Sequence, residues 1–222
     1  MLAWSVPGLL AAAVAVAARW VLHRRDALGR PRRFPALSVT LLVLPAAAIA
    51  VPVWHHHQLQ ARLGEVASVL AGHRVEVHCQ TLGEEFVHAG SELGSVAFDA
   101  DGVPARSTAL AREVCDDLQA YLDAGGVRPT PEQVVAVHVL GHEAQHLTGT
   151  ADEAQAECAA VQRDALTAHL FGADPAQALR LARLYWAVQY PNLSDGYRSP
   201  LCAPGAAWDE HLPDAPWSEP TG

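Results

Sequence analysis

The chain has 222 residues and a formal charge of −9, a length that suits one folded core with additional segments rather than two large domains. The charge is unevenly spread: the first 54 residues hold six arginines against one acid, and the remainder holds nine arginines against 23 acids, a balance of −14. A part that acidic repels phosphate backbones, and no basic, aromatic-studded stripe offsets it, so nucleic acid is excluded as an expected partner.

Two apolar runs lead, Leu2 to Leu22 and Pro35 to Trp54, each about the length that crosses a ~30 Å hydrocarbon layer as a helix. They predict a membrane hairpin over residues 1–54. The linking stretch "HRRDALGRPRRF" carries five arginines, which the positive-inside tendency keeps cytoplasmic, leaving residues 55–222 as an extracytoplasmic domain of a multi-pass plasma-membrane protein. A cleaved signal peptide fits less well, because the arginines follow the first apolar run instead of preceding it. Trp4, Trp20 and Trp54 sit near segment ends, where indoles suit headgroups. His55, His56 and His57 cannot all face one way on a helix and read as a wet linker beside the membrane.

Beyond them, Leu59, Leu63, Val66 and Leu70 recur at helical spacing up to Gly72, an amphipathic helix. "RVEVHCQ" alternates as a strand does, and "GSVAFDADGVPARSTAL" reads as two short strands around an Asp-Gly turn. "ALAREVCDDLQAYLDAGG" reads as a helix stopped by a glycine pair. Thr130-Pro131-Glu132-Gln133 joins an N-cap hydroxyl, a proline in the first turn and a capping-box glutamine, opening a helix through His146 that Gly149 is placed to end. Asp152 or a neighbour caps the next helix, and Asp174-Pro175-Ala176-Gln177 starts a third that ends before Pro191. The last thirty residues read as an extended wrap held at Cys202. The expected class is α+β, mostly helical with a small sheet.

All four cysteines, Cys79, Cys115, Cys158 and Cys202, fall in the part expected outside, which predicts two disulfides with the pairing open among three choices. No CxxC spacing supports a thiolate zinc site.

His142-Glu143-Ala144-Gln145-His146 is an HExxH match. On a helix, residues four apart share a face, so His142 and His146 can hold one Zn²⁺ while Glu143 leans toward a water on the metal as general base. A third ligand is expected from Asp152, Glu153 or Glu157. Ligation by Asp152 gives HExxHxxGxxD, similar to the metzincin peptidases, but the chain has no methionine after Met1 to build their methionine turn. Ligation by a glutamate resembles the gluzincin zinc peptidases, in which a second helix reads E-x-x-x-D. That resemblance covers residues 131–170 and implies Glu153 as ligand, with Glu157 holding a zinc histidine from behind or acting as the alternative ligand. The block also resembles membrane-anchored actinobacterial-type proteins with an extracytoplasmic domain.

His138, four before His142, is expected to pack or to support the site from behind, while His78, His88 and His169 are expected on the surface or in the core. A peptidase also needs a group near the developing oxyanion, and Tyr190, Tyr197, Arg198 and His211 are the candidates. The strand "SVAF" or "RVEV" is the expected edge for a peptide substrate. The resulting expectation is a membrane-anchored zinc metallopeptidase acting on peptides or proteins. Its rivals are a zinc-stapled interaction domain without catalysis, a metal-dependent deacylase, and a metal-free polar network joining two helices.

Overall fold

The computed structural model describes residues 5–25, 28–85 and 93–218; Trp4, with the start of the first apolar run, and His88 lie outside them. The chain forms two compact units, Met1–Gln58 and Leu59–Gly222. In the first, α1 (Ser5–Leu22) and the leading part of α2 (Ala36–Ala71) flank the basic loop. That loop is pinned by Trp20, whose indole N–H donates to the Arg32 carbonyl at 3.1 Å and whose ring meets Phe34 edge-on.

Two spans were expected, and among the described residues one helix is long and apolar enough to cross a membrane, α2. The apolar part of α1, Val6–Leu22, reaches about 26 Å at 1.5 Å per residue, short of the ~30 Å layer. The expected linker at His55–His57 is corrected too: α2 runs through these residues without a break, with Pro45 and Pro52 inside it. The one glycine between Trp54 and Gly72, Gly64, is carried inside the helix, and Gly72, at φ +73°, ends it. Leu37, Leu41, Leu44, Val51 and Val53 on its first half are exposed.

The second unit is built around the helix Pro131–Leu147. Strands β1 (Glu76–Cys79), β2 (Gly94–Phe98) and β3 (Pro104–Leu110) form a sheet in the order β1-β3-β2, with β1 parallel and β2 antiparallel to β3. The Asp-Gly turn joins β2 to β3 as expected: Asp99 Oδ1 accepts from the Asp101 and Val103 amides, and Gly102 takes φ +76°. After the short turn α3 (Leu82–Glu85) come α4 (Arg112–Asp123), α5 (Pro131–Leu147), α6 (Glu153–Leu170) and α7 (Pro175–Leu184), so the α+β, mostly helical reading holds.

Each expected cap is made. Thr130 and Asp174 form reciprocal capping boxes with Gln133 and Gln177, and Asp152 accepts from the Gln155 amide at 2.8 Å, each such cap contributing on the order of 1 kcal/mol. Helix α5 is buried on nearly every side from Val134 to Leu147, as expected of a helix enclosed by α4, α6 and the sheet. Its polar residues His138, His142, Glu143, Gln145 and His146 are buried with it and each requires a partner. Two disulfides form, Cys79–Cys115 joining β1 to α4 and Cys158–Cys202 joining α6 to the C-terminal segment. That segment is a run of tight turns pinned along α6: Gln162 bonds Trp208 and Glu210 backbone, and Arg163 makes a two-pronged ion pair with Glu210.

Candidate metal centre

Helix α5 places His138, His142 and His146 at successive turns of one face, and α6 runs back along it, so that His146 meets Glu153, His142 meets Glu157 and His138 meets Asp164. Gly141 faces α6, where a Cβ would sit in ordinary contact with Thr167 Oγ1 at 3.4 Å. The tight turn between the helices has a second task. While Gly149, at φ +104°, and Thr150 close the end of α5 through amides bonded to His146 and Gln145 carbonyls, the Thr150 carbonyl accepts from His146 Nδ1 at 2.6 Å.

That contact fixes a proton. A carbonyl only accepts, so His146 Nδ1 carries the hydrogen. His142 Nδ1 faces Glu157 Oε2 at 3.1 Å; burial opposes charge on Glu157, yet His138 and the ring N–H donors outweigh it and hold the carboxyl well below the usual carboxylate range. His142 Nδ1 therefore donates as well. When both rings are neutral, each Nε2 is a bare lone pair, and the two lie 2.9 Å apart, with Glu153 Oε2 at 3.1 Å from one and 3.3 Å from the other. Three acceptors without a proton between them repel unless a cation sits among them. Tetrahedral zinc at 2.0–2.1 Å from nitrogen sets its ligands about 3.3 Å apart, so the triangle fits such an ion; two imidazoles and a carboxylate are also the donor set that zinc takes in open sites.

Asp152, one residue before Glu153, spends its carboxylate on the cap of α6 and stays exposed. Glu157, one turn after Glu153, is turned toward the far ring nitrogen of His142. Glu143 is buried beside the triangle. Thr108 Oγ1 lies 3.3 Å from Glu143 Oε2 and 3.0 Å from the Ser95 carbonyl, its one proton shared between two acceptors. Strand β2 passes directly over this carboxylate: a Cβ on Gly94 would lie 2.5 Å from Glu143 Oε1 and 2.7 Å from Cγ and Cδ, so only glycine allows the approach.

These groups open into a cleft of about 740 Å³ with apolar walls including Val96, Phe98, Val135, Val139 and Leu193. One rim is β2, one of the two edge strands of the sheet. The Leu93 carbonyl bonds the Ala111 amide, and the Ser95 carbonyl faces Thr108, both toward β3. By strand alternation the N–H and C=O of Gly94 and Val96 point the other way, to the edge that no other described strand pairs. The opposite rim is the π-turn after α7, Tyr185–Gln189, which brings Tyr185 and Gln189 to the cleft together; such turns recur at functional sites. Of the four oxyanion candidates, Tyr197 lines the cleft with its ring 5.9 Å from that of His142. Tyr190 is engaged with Ser199 backbone, Arg198 with Asp195 and the Pro191 carbonyl, and His211 with Asp209. His78 pairs with Glu84 on the surface and His169 Nδ1 bonds the Ala173 carbonyl at the end of α6.

Behind the triangle lies a second polar cluster. His138 Nε2 donates to Glu157 Oε2 at 2.9 Å, and Nδ1 faces both oxygens of Asp164 at 3.0 and 3.1 Å. Burial works against the imidazolium, but Asp164 and Glu157 together raise its pKa to about 10. For Asp164 burial dominates over the pull of His138 and lifts it to about 6. Tyr185 donates to Glu157 Oε1 at 2.8 Å and stacks on His138 at 3.6 Å. His138, His142 and Glu157 also stand close enough to be considered as a metal trio, but there every facing pair already has a donor and an acceptor.

Gly94, Thr108, Asp164 and Tyr185 went unread in the sequence. Thr108 and Asp164 carry no local motif. Gly94, opening a strand, was the one available signal, because glycine weakens a strand unless another group comes close. Comparison with family models, characterised proteins and solved structures returns no match.

Proposed function

We propose that the protein is a membrane-anchored, zinc-dependent metallopeptidase whose metal ligands are His142, His146 and Glu153 and whose general base is Glu143. The observation that carries this reading is the convergence of His142 Nε2, His146 Nε2 and Glu153 Oε2 within 2.9–3.3 Å, beside a buried carboxylate and a strand edge that no other described strand pairs. A zinc ion bound there supplies a Lewis acid for the scissile carbonyl and brings the pKa of a water toward neutrality. Glu143 accepts the proton of the attacking water and delivers it to the departing amine. Thr108 holds Glu143 from the sheet side, and the missing Cβ of Gly94 leaves room for it. The outward N–H and C=O groups of Gly94 and Val96 suit an extended peptide added to β2. Tyr197 offers a phenol to the carbonyl oxygen as charge develops. Helix α2 is the anchor, with the arginine loop on the cytoplasmic side and the metal centre outside, where the two disulfides are at home.

A closed structural site would fill the fourth position with a protein ligand. Among the described residues, the two possible metal trios share only His142, through opposite ring nitrogens, so neither completes the other, which favours catalysis over a zinc staple. The test is metal analysis of the full-length protein in detergent, followed by a peptide library. About one zinc per chain, lost in His146→Ala, with cleavage abolished in Glu143→Gln, supports the proposal. Zinc without cleavage in the parent leaves the staple, iron in place of zinc points to different chemistry for the same two-imidazole, one-carboxylate set, and no metal overturns the site.

A further inference from the structure

We propose that His138 and Asp164 are positioning residues of this metal centre, acting through Glu157 on His142; the proposal rests on the metal reading above. Glu157 Oε2 stands between two ring N–H groups, that of His138 at 2.9 Å and that of His142 at 3.1 Å. With His142 and Tyr185 alone, the carboxylate could turn about its last bond and present either oxygen. The His138 N–H pins Oε2. His138 is itself immobilised, gripped at Nδ1 by both oxygens of Asp164 and stacked on Tyr185 with planes 13° apart.

The chain of contacts therefore runs from Asp164 through His138 and Glu157 to the Nδ1 of His142, and its end lies on the opposite side of that ring from the metal-facing Nε2. A carboxylate held there aims the ring and strengthens its donor lone pair. Packing alone does not call for such residues. The side chains of His138, Glu157 and Asp164 are 3% exposed or less, and apolar groups of similar volume would fill the space at no loss. What they add is a fixed geometry at one ring nitrogen. Metal retention should then depend on two residues that never touch the metal.

The test uses the full chain in detergent, with zinc affinity measured by competition against a graded chelator, the visible spectrum of the cobalt-loaded protein, and thermal unfolding with and without zinc. Asp164→Asn and His138→Gln are expected to weaken zinc by about 10- to 100-fold, to shift the cobalt spectrum, and to shrink the rise in unfolding midpoint that zinc confers. A merely structural role would lower the midpoint equally with and without zinc. Tyr185→Phe, which spares Oε2, is expected to change affinity less. Parental zinc affinity and cobalt spectrum in folded variants overturn the proposal while leaving the metal centre standing; a parent that takes up neither zinc nor cobalt overturns both. Where His138→Gln does not fold, Asp164→Asn, which keeps the shape and one acceptor oxygen, decides the matter.

Discussion

Two clusters of the same residue types sit on either side of the His142 ring, and their hydrogen bonds set them apart. On the interior side, His138, Asp164, Glu157 and Tyr185 form a network in which every contact pairs a donor with an acceptor. On the cleft side, His142 Nε2, His146 Nε2 and Glu153 Oε2 face one another as acceptors. Proximity alone nominates both as metal sites; proton accounting separates them. A buried network that is fully satisfied needs nothing more, whereas three acceptors facing one another with both rings neutral leave a place for a cation. The comparison can be broken by experiment.

The largest effect is expected from His146→Ala. One of three ligands goes, and zinc stoichiometry measured on the purified protein should fall from about one per chain to near zero, with activity lost entirely. The interior cluster is untouched by this change, so the fold should persist; retained stoichiometric zinc would mean that the interior trio holds the metal. Second comes Glu143→Gln, which keeps shape and zinc but cannot take a proton. Peptide cleavage should drop by about 10²- to 10⁴-fold with metal content unchanged, and equal cleavage by parent and variant would remove Glu143 from the chemistry.

How much of this was legible in the sequence follows from the range of the interactions. The HExxH spacing, the Thr130, Asp152 and Asp174 caps and the Asp-Gly turn are local rules, read within four residues, and the structure contains each cap and turn. Local rules also distinguish Asp152, which caps, from Glu153, which begins the helix facing the histidines. They do not reach Asp164, 26 residues from His138, or Thr108, 35 residues from Glu143. Those contacts exist only once α6 has folded back and the sheet has closed over α5. The disulfide pairing was open for the same reason. The membrane segments failed differently: composition located both apolar runs, but the described helix of the first is a few residues short of a span, and the second continues as one helix past Trp54 and the histidine triplet to Ala71.

A smaller effect is expected at Gly94. Replacement by alanine places a methyl group 2.5–2.7 Å from the Glu143 side chain, which must shift β2 or turn the carboxylate aside. Displacement of a proton-transfer group by about 1 Å is enough for a loss on the order of 10²-fold. Catalytic rate should fall by roughly that factor while zinc affinity stays at the parental value, since neither imidazole is touched. Parallel loss of zinc would show that Glu143 and the triangle are one unit instead of neighbours.

Alkaline titration probes the interior side. His138 has its folded pKa raised to about 10 from an ordinary 6.5, so its contribution to stability is complete below about pH 6.5 and is lost as pH climbs toward 10. Asp164, also raised, to about 6, loses its contribution in the same direction but at lower pH, and Glu157, lowered, contributes above its ordinary range and loses on acidification. Below about pH 10 the alkaline arm thus belongs to His138 within this cluster, since Tyr185, which burial pushes up, adds its own loss only from about pH 10 upward. The background is quiet in that window, because the chain has no lysine, its cysteines are all in disulfides, and burial likewise raises Tyr121 and Tyr190. The unfolding midpoint of the zinc-free protein should decline from pH 7 to 10, and His138→Gln should flatten that slope; a parent with no slope in this window would mean that the ring is neutral between its two carboxylates.

The smallest effect separates two adjacent acids. Asp152→Ala removes the side-chain acceptor for the Gln155 amide and should lower stability by about 1 kcal/mol, read as a shift in the denaturant midpoint. Zinc affinity should stay within about twofold of the parent, because the Asp152 carboxylate is turned to the helix start and not to the imidazoles. Glu153→Ala should do the reverse, releasing zinc with little change in the zinc-free midpoint, since an exposed residue in the first turn adds only a few tenths of a kcal/mol through the helix dipole. If the two substitutions exchange these outcomes, the third donor is Asp152, and the acceptor triangle in the cleft has been assigned one residue too late along the chain.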